Sequence, residues 1–334
     1  MTFPRVRSPS FISSCVSVFR QYPVTTALAA AAGLLAATAI VNRQLAKKAQ
    51  RDNPPKGQFM EIDGVRLHYV ERGKGRPLVL FHGNGSMIQD FESSGLIDLA
   101  AKNYRVIVFD RPGFGHSLRP RNVVWTPKAQ ADLFVKALDR LNVRQAIVLG
   151  HSWGASVAVA LAIKHPVLVE ALVLASGYYF PTARADVLAL SGPAIPGLGD
   201  IVSFTISPIV SRLMWPATLR KMFGPRSVPV KFAGFPKEMA VRPSQIRASA
   251  AETALMIPAA FASAKTYNEL AMPIIIIAGE EDRLIDIDEQ SGRLHDEVRQ
   301  SKLHRIVGGG HMVQQSATAD LMAAIDEAAA ETLH

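Results

Sequence analysis

The sequence predicts an α/β fold in which a mostly parallel sheet is covered by helices on both faces and carries a helical cap. Short apolar runs alternate with segments of helical periodicity. The runs are too apolar for a sheet with one face in water, which indicates strands that are buried on both faces. The alternation breaks once, over residues 178–265, and then resumes, which indicates an insertion between two strands of one sheet.

Size and charge narrow the class of protein. The chain has 334 residues, 49% of them hydrophobic, which suits one large domain or one domain with an insertion. Residues 1–56 hold most of the formal net charge of +9, so the remainder is nearly neutral and a nucleic-acid-binding role is excluded. The single cysteine, Cys15, excludes an intramolecular disulfide and a cysteine-rich zinc site.

The N-terminal segment, residues 1–56, contains an apolar run. Residues 24–41 carry no charge over 18 residues, just enough for a helix to cross a bilayer. We expect an uncleaved membrane anchor, because the run is longer than the apolar region of a signal peptide. A cleaved signal peptide, giving a secreted or periplasmic protein, stays open because residues 37–39 resemble a cleavage site. A transit peptide or a buried helix also stays open. The two prolines of 51–57 then mark a domain boundary.

The first part of the main domain, residues 57–177, reads as strands alternating with helices. Residues 57–73 form a hairpin around the turn signal Asp63-Gly64. The segment 126–142 begins a helix with Thr126 as cap and proline at the first helical position. The remaining predicted strands cover 77–83, 104–110, 145–150 and 170–177, and the remaining predicted helices cover 87–102 and 156–166.

The second part of the core, residues 266–334, resumes the alternation after the cap of 178–265. Strands are predicted over 273–279 and 303–310, and helices over 287–299 and 317–332. An insertion at this place sits at an edge of the sheet and can cover it. The cap holds several large apolar residues, which we expect to divide between its own core and the wall of a site: Tyr178, Tyr179, Phe180, Met214, Trp215, Phe223, Phe232 and Phe235.

A candidate nucleophile lies where a buried strand turns into a helix. Residues 150–154 read Gly-His-Ser-Trp-Gly, the pattern Gly-x-Ser-x-Gly. Gly150 and Gly154 allow the sharp turn, because residues with side chains do not fit two places before and after the serine. Ser152 is thereby held at a helix N-terminus, where free N–H groups favour developing negative charge.

A serine needs a base, and the base needs an acid that orients it. His311 follows the glycines at the end of the last predicted strand and is the best candidate base. An acidic cluster at 280–282 ends an earlier strand. We choose Asp282 from it, because the spacing from Gly279 lets the loop turn before the carboxylate.

Two further turns lie at strand ends. In "FHGNGS", residues 81–86, the backbone N–H of Asn84 can serve an oxyanion hole together with the N–H of Trp153. We expect His82 to brace this loop. In "DRPGFGHS", residues 110–117, we expect Asp110 and Arg111 to tie loops together near the site.

With these motifs in order, residues 57–334 resemble the α/β-hydrolase superfamily with a cap domain. The resemblance rests on "FHGNGS", "DRPGFGHS", "GHSWGA", "GEEDRLI" and "GGGHM". It implies an eight-stranded, mostly parallel sheet with a helical lid. Relatives that open epoxides or remove halogens carry an aspartate at the nucleophile position, so Ser152 argues against those activities.

The expected function is hydrolysis of a carboxylic ester or related acyl compound through Ser152, His311 and Asp282. Hydrolysis of a carbon–carbon bond and a perhydrolase activity remain alternatives with the same triad, and a small-molecule-binding homologue without catalysis is a third. We expect a small apolar acyl or ester substrate and membrane association through the N-terminal helix. Nothing in the sequence indicates a metal ion or an organic cofactor, and it gives no oligomeric state.

Overall fold

The computed structural model describes residues 22–332, and it places them in one eight-stranded sheet flanked by helices. Cys15, the bases that precede Tyr22, and His334 lie outside the described residues. The strand order is β1-β2-β4-β3-β5-β6-β7-β8. Strands β1, β2 and β4 pair antiparallel, and every other pairing is parallel, which confirms the predicted fold class. The strands are β1 (Gln58–Ile62), β2 (Val65–Arg72), β3 (Arg76–Phe81), β4 (Tyr104–Phe109), β5 (Ala146–His151), β6 (Val169–Ala175), β7 (Ile274–Gly279) and β8 (Ser301–Ile306).

Helices cover both faces of the sheet and also fill the long connection between β6 and β7. Those outside this connection are α1 (Pro23–Asp52), α2 (Ile88–Ser94), α3 (Leu96–Ala100), α4 (Pro127–Arg140), α5 (Trp153–Lys164), α11 (Arg293–Glu297), α12 (Val313–Ser316) and α13 (Thr318–Glu331). Those within it, here called the cap, are α6 (Ala185–Leu190), α7 (Leu198–Phe204), α8 (Ile206–Phe223), α9 (Lys237–Ala240) and α10 (Pro243–Ser263).

The core consists of two apolar layers, one on each face of the sheet. Strand β3 shows the alternation that produces them, since Val79 and Phe81 belong to one cluster and Leu78 and Leu80 to the other. All four side chains are fully buried. The successive apolar residues of this strand therefore pack into the core on both faces of the sheet, as is usual for parallel strands.

Local signals in the sequence predicted several elements well. The hairpin turns at Asp63 and Gly64, whose φ angles of 51° and 76° are the left-handed values of a two-residue hairpin turn. The side chain of Thr126 accepts a hydrogen bond from the N–H of Ala129 at 3.1 Å, and α4 begins at Pro127.

Four predicted elements have different bounds in the structure. The helix expected over 87–102 is two helices, because Gly95 adopts a left-handed φ of 81° between them. The helix expected over 287–299 is a π-helical turn, Asp288–Gly292, followed by α11, and Val298 is already extended. Strand β8 starts at Ser301 rather than 303 and ends at Ile306, before the left-handed Gly308. Helix α5 starts at Trp153 rather than 156, directly after the candidate nucleophile.

The cap lies over the carboxyl ends of the strands, mainly through α10. The side-chain amide of Asn84, in the loop after β3, donates to the carbonyl of Ser249 at 3.1 Å and to the hydroxyl of Thr253 at 3.0 Å. The N–H of Gly115, in the loop after β4, donates to Gln245 at 3.1 Å. Helix α10 thus closes the edge of the sheet where the predicted site residues lie.

Helix α1 runs without interruption for 30 residues and packs against the cap with its second half. The amide of Asn42, which is only 2% exposed, donates to the carbonyls of Phe204 and Thr205 at 3.0 and 2.9 Å. Ala49 is buried in the apolar cluster that also contains Phe223 and Met239. The helix therefore extends well beyond the uncharged run of 24–41 and becomes part of the folded body.

Candidate active site

The turn between β5 and α5 holds Ser152 in a strained backbone conformation, with φ 54° and ψ −120°. A Cβ atom at Gly150 would collide with the carbonyl of Gly154, and one at Gly154 would collide with the carbonyl of Phe81. The two glycines are therefore required by the close approach of backbone to backbone. Between residues 146 and 155, Ser152 is the one residue that is not buried. Ser152 is thus the accessible residue of an otherwise buried turn.

Asp282 and His311 form a hydrogen-bonded pair at the carboxyl ends of β7 and β8. The Nδ1 atom of His311 lies 2.7 Å from Oδ2 of Asp282. The other oxygen, Oδ1, accepts the N–H groups of Leu284 at 2.8 Å and Ile285 at 3.1 Å. Burial would raise the pKa of Asp282, but the charge of His311 and these hydrogen bonds hold that pKa below its usual value. The carboxylate is therefore ionised and fixed in direction.

The loop that carries His311 is held on two sides. Its N–H donates to the carbonyl of Met222, near the end of cap helix α8, at 3.0 Å. Its carbonyl lies 3.1 Å from Nε2 of His151, and the two imidazole rings are 5.0 Å apart. Since His151 is the residue before Ser152, the strand end that carries the candidate nucleophile contacts the loop that carries the candidate base.

The loop after β3 packs directly against the candidate nucleophile. A Cβ atom at Gly83 would lie 3.2 Å from Cβ of Ser152 and 3.0 Å from Nδ1 of His151. Within residues 22–332, the backbone N–H groups of Asn84 and Trp153 have no hydrogen-bond acceptor. That of Trp153 is at the first position of a helix, where such groups are free. The structure thus leaves both predicted oxyanion donors available.

His82 and Arg111 hold the loop after β3 in place through hydrogen bonds. The Nδ1 atom of His82 lies 2.8 Å from the carbonyl of Gly83, and its Nε2 atom accepts the N–H of Arg111 at 3.0 Å. This pattern requires a neutral ring with its proton on Nδ1. Burial lowers the pKa of His82 to about 3, and the charge of Arg111 adds to the effect. His82 therefore braces the loop, as the sequence predicts, and stays uncharged.

Arg111 is fully buried and joins three parts of the molecule. Its guanidinium group donates to the carbonyls of His82 at 2.8 Å and Gly83 at 2.9 Å. It also pairs with both carboxylate oxygens of Glu252 on α10, which is itself fully buried, one of them at 3.0 Å. The predicted tie between loops is confirmed, and it extends to the cap.

Asp110 also ties separate segments together, on the other side of the turn that it shares with Arg111. One carboxylate oxygen accepts the N–H of Ile88 at 2.9 Å. The other accepts the N–H of His116 at 2.9 Å and lies 2.7 Å from Nδ1 of His68. Burial would raise the pKa of Asp110, but its hydrogen bond with His68 and the neighbouring charges hold it below its usual value.

Sequence reasoning missed a second polar network behind the site. Asp90 on α2 is fully buried and accepts hydrogen bonds from the side-chain amides of Gln314 at 2.8 Å and Gln315 at 2.9 Å. Gln314 also lies 3.3 Å from Nδ1 of His151. Burial raises the pKa of Asp90, and it lowers that of His151 to about 3. No local pattern marks these residues, because the network forms only when α2 meets α12.

A cavity of about 400 Å³ opens beside the loop that follows Asp282, although none of Ser152, Asp282 and His311 lines it. Leu284 and Ile285 line it from the core, and Tyr178, Arg184 and Lys221 line it from the cap side. Arg184 pairs with Asp186 at 2.6 Å. Among the cap residues singled out in the sequence, Tyr179 and Phe180 belong to the main core. Phe223, Phe232 and Phe235 belong to a cluster that joins the cap to α1 and to Met87 and Met312. Met214 is more than half exposed, so it does not belong to either group.

Comparisons with known proteins agree with this architecture. The sequence profile described as alpha/beta hydrolase fold matches residues 76–317. The chain is 29% identical over 298 residues to a 2-hydroxymuconate semialdehyde hydrolase from Pseudomonas sp. (strain CF600), covering 84% of this chain and 99% of the relative.

Solved structures with lower identity share the fold. An esterase from Thermogutta terrifontis superimposes with a TM-score of 0.69 at 21% identity, over 83% of this chain and 99% of that one. A bacterial membrane phospholipase A superimposes with a TM-score of 0.63 at 19% identity, over 95% of this chain and 97% of that one. The fold, the family profile and the named relatives show that this chain belongs to the alpha/beta hydrolase family and is a hydrolase.

Proposed function

We propose that the chain is a serine hydrolase that cleaves a carboxylic ester or related acyl compound. Ser152 attacks the carbonyl carbon while Nε2 of His311 takes its proton. Asp282 holds the tautomer of His311 and stabilises the imidazolium that forms. The N–H groups of Asn84 and Trp153 bind the oxyanion. The intermediate then expels the alcohol, which takes the proton from His311, and water, activated by the same imidazole, releases the acyl group from Ser152. The observation that carries this proposal is the 2.7 Å pair of His311 and Asp282, on a loop that contacts His151, the residue before a partly exposed serine on a strained turn.

The test is covalent labelling of the purified full chain with a fluorophosphonate. We expect the wild type to be labelled and Ser152→Ala to be unlabelled. The matched control is Ser156→Ala, one turn further along α5, where the hydroxyl only donates to the carbonyl of Tyr178. It should be labelled like the wild type. An unlabelled wild type, or a labelled Ser152→Ala variant, would refute the assignment.

A second candidate reaction is hydrolysis of a carbon–carbon bond next to a carbonyl group by the same triad. The names of relatives favour it, since they include hydrolases of 2-hydroxymuconate semialdehyde and of 2-hydroxy-6-oxo-2,4-heptadienoate. Turnover of 2-hydroxy-6-oxo-2,4-heptadienoate, compared with a chain-length series of p-nitrophenyl esters, separates the two reactions. Tight binding of either compound without turnover would instead favour a small-molecule-binding role.

We further propose that α1 is an uncleaved membrane anchor and that the substrate is an apolar acyl compound. None of the residues in its uncharged run, 24–41, is buried in the protein, and the helix is long and apolar enough to cross a membrane. The second half of the helix is bonded to the cap through Asn42, which supports retention of the whole helix. We also propose the division into a core, residues 57–177 and 266–334, and a cap, residues 178–265.

The anchor is tested on membranes from cells that express the full chain. The protein should stay in the membrane pellet after washing with alkaline carbonate, and mass spectrometry should find an intact N-terminal segment. A mature chain that begins shortly after residue 39 would show that a signal peptide is removed.

A further inference from the structure

The cap exposes an apolar surface to solvent. Helices α7 and α8 present large aliphatic side chains at helical spacing, and each of them is exposed. We call this surface the cap apolar face, and its members are Leu198, Ile201, Ile206, Ile209, Val210 and Leu213. Leu213, at 75% exposure, is among the most exposed large apolar residues of the described chain. An apolar surface of this kind on a folded protein marks a site of contact with something else.

No free charge interrupts the cap apolar face. Residues 187–219 contain only two charged side chains, Asp200 and Arg212. Asp200 pairs with Arg121 at 2.9 Å and Arg212 pairs with Glu238 at 2.9 Å. Asp200 also pairs with Arg247 at 3.0 Å, so both charges are engaged by partners elsewhere in the molecule and the aliphatic residues between them form a surface without a charge of its own.

The cap apolar face continues the surface of helix α1. Ile209 and Leu213 form one wall of an apolar groove of about 480 Å³, and Ala37, Val41 and Leu45 of α1 form the other wall. The run of 24–41 is roughly 27 Å long at about 1.5 Å per residue, close to the roughly 30 Å of a hydrocarbon core. The groove therefore lies beside the last turns of the run, at the depth where acyl chains meet headgroups.

Basic residues follow the uncharged run along α1. Arg43, Lys47 and Arg51 are exposed and begin just after the uncharged run. Lysine and arginine at this depth are attracted to the phosphates of anionic lipids. An apolar face at the level of acyl chains, followed by bases at the level of headgroups, matches the layers of a membrane surface better than the surface of a second protein.

We propose that the cap apolar face is immersed in the acyl-chain boundary of a lipid bilayer, so that substrate reaches the active site from the membrane. This inference rests on the membrane anchor proposed above and adds a docked orientation and a lipid source of substrate. Helix α8 connects the two places, since its first half carries Ile206 and Leu213 and the carbonyl of Met222 near its end accepts the N–H of His311.

The docked orientation is tested by fluorescence in vesicles of phosphatidylcholine and phosphatidylglycerol. The full chain with Cys15→Ser receives a single new cysteine, Leu213→Cys, which is labelled with a polarity-sensitive fluorophore. The matched control is Val167→Cys, 79% exposed just before β6, at the amino end of the strands. Lipids with a nitroxide on the acyl chain should quench the probe at 213 severalfold and leave the probe at 167 unchanged.

Flotation of the same labelled protein with the vesicles separates the possible failures. Protein that floats but shows no quenching at 213 overturns the docked orientation and leaves the anchor intact. Protein that does not float overturns the anchor and this inference together, while fluorophosphonate labelling of Ser152 still tests the chemistry. Disulfide cross-linking between two copies through Leu213→Cys, without quenching by lipid, would assign the face to a second copy and also overturn the proposal.

A kinetic test uses the double variant Ile209→Glu, Leu213→Glu. Both side chains are exposed on the cap surface, so hydrolysis of water-soluble p-nitrophenyl acetate should be unchanged. Hydrolysis of a long-chain ester embedded in vesicles should fall about tenfold or more, because two apolar contacts with lipid are lost. Val167→Glu should change neither rate. An equal loss on both substrates, or no loss on either, would contradict membrane docking of the cap.

Discussion

At the scale of single residues, the backbone of Ser152 stores strain that the surrounding structure maintains. Its positive φ costs a non-glycine residue roughly 1–3 kcal/mol. Two hydrogen bonds hold it: its N–H donates to the carbonyl of Ala175 at 2.8 Å, and its carbonyl accepts the N–H of Ala155 at 2.9 Å. The strain points the side chain away from the sheet, which is why the serine remains accessible among buried neighbours.

Replacement of Asp282 by asparagine should lower kcat by about 10³–10⁴, because an amide can donate to Nδ1 of His311 and favour the wrong tautomer. The measurement is steady-state hydrolysis of a p-nitrophenyl ester, with circular dichroism to check the fold. Glu281→Gln is the matched control, since this neighbouring acid is exposed. Equal effects of the two changes would show that Asp282 has no special role.

The site residues differ in how much of the surrounding sequence is needed to predict them. Ser152 and the two glycines could be predicted from five consecutive residues. The loop of His82 follows a largely apolar strand, and His311 is marked by the glycines that precede it after β8, a strand with Lys302, His304 and Arg305 in it. Asp282 needed a choice among three neighbouring acids, which the structure resolves by geometry: its carboxylate, not that of Glu280 or Glu281, forms the bond to His311.

At the scale of secondary-structure elements, α10 couples the cap to the oxyanion loop. Glu252 is the counter-charge of Arg111 and also lies 3.9 Å from Arg119. Burial lowers the pKa of Arg119 to about 10, against the opposing effect of Glu252. The carboxylate of Glu252 thus lies close to two guanidinium groups. Arg111 links α10 to the carbonyl groups of residues 82 and 83, so the position of α10 affects the position of the oxyanion loop.

Glu252→Gln should lower the free energy of unfolding by about 3–5 kcal/mol, because it leaves a buried guanidinium without its counter-charge. The measurement is urea unfolding of the detergent-solubilised chain. Glu297→Gln, which breaks the exposed pair with Arg293, should change stability by less than about 0.5 kcal/mol. A loss for Glu252→Gln no larger than that of the control would contradict the coupling.

The elements that the sequence predicted correctly depend on local chemistry, such as the turn at Asp63-Gly64 and the cap at Thr126. The elements whose bounds were predicted wrongly are those whose bounds depend on tertiary contacts. Nothing local distinguishes Gly95 as a break from a glycine within a helix, and its left-handed backbone is favoured only when α2 and α3 pack separately on the sheet. Likewise, the extension of α1 to Asp52 depends on Asn42 and Ala49 meeting the cap.

At the scale of the whole molecule, two buried neutral histidines make stability depend on pH. The folded-state pKa values of His82 and His151 are about 3, against an ordinary value of 6.5. Above pH 6.5 both are neutral in the folded and unfolded states. Below it, only the unfolded chain takes up their protons, so the free energy of unfolding falls by about 1.4 kcal/mol per pH unit for each histidine.

The prediction is a loss of stability as the pH falls from 6.5 toward 4, with a shallower slope for His151→Gln. Glutamine can still donate to the carbonyl of His311 but takes up no proton in the unfolded state. Asp90 acts in the opposite sense, because its raised pKa lets the folded state bind a proton first, so the slopes of variant and wild type are compared directly. Urea unfolding at several pH values measures the slopes, and His304→Gln, at an exposed position, is the control. Parallel slopes for His151→Gln and wild type would contradict the prediction.

The continuity of α1 has a consequence for how such a protein would search for its substrate. A catalytic body on a flexible tether can tumble and sample every direction. Here the helix is unbroken from Pro23 to Asp52 and is bonded to the cap at Asn42, so the body cannot pivot about its tether. With α1 in a bilayer, the enzyme would diffuse laterally with its cap held at one orientation to the membrane. Its encounter rate would then follow the surface density of substrate rather than the bulk concentration.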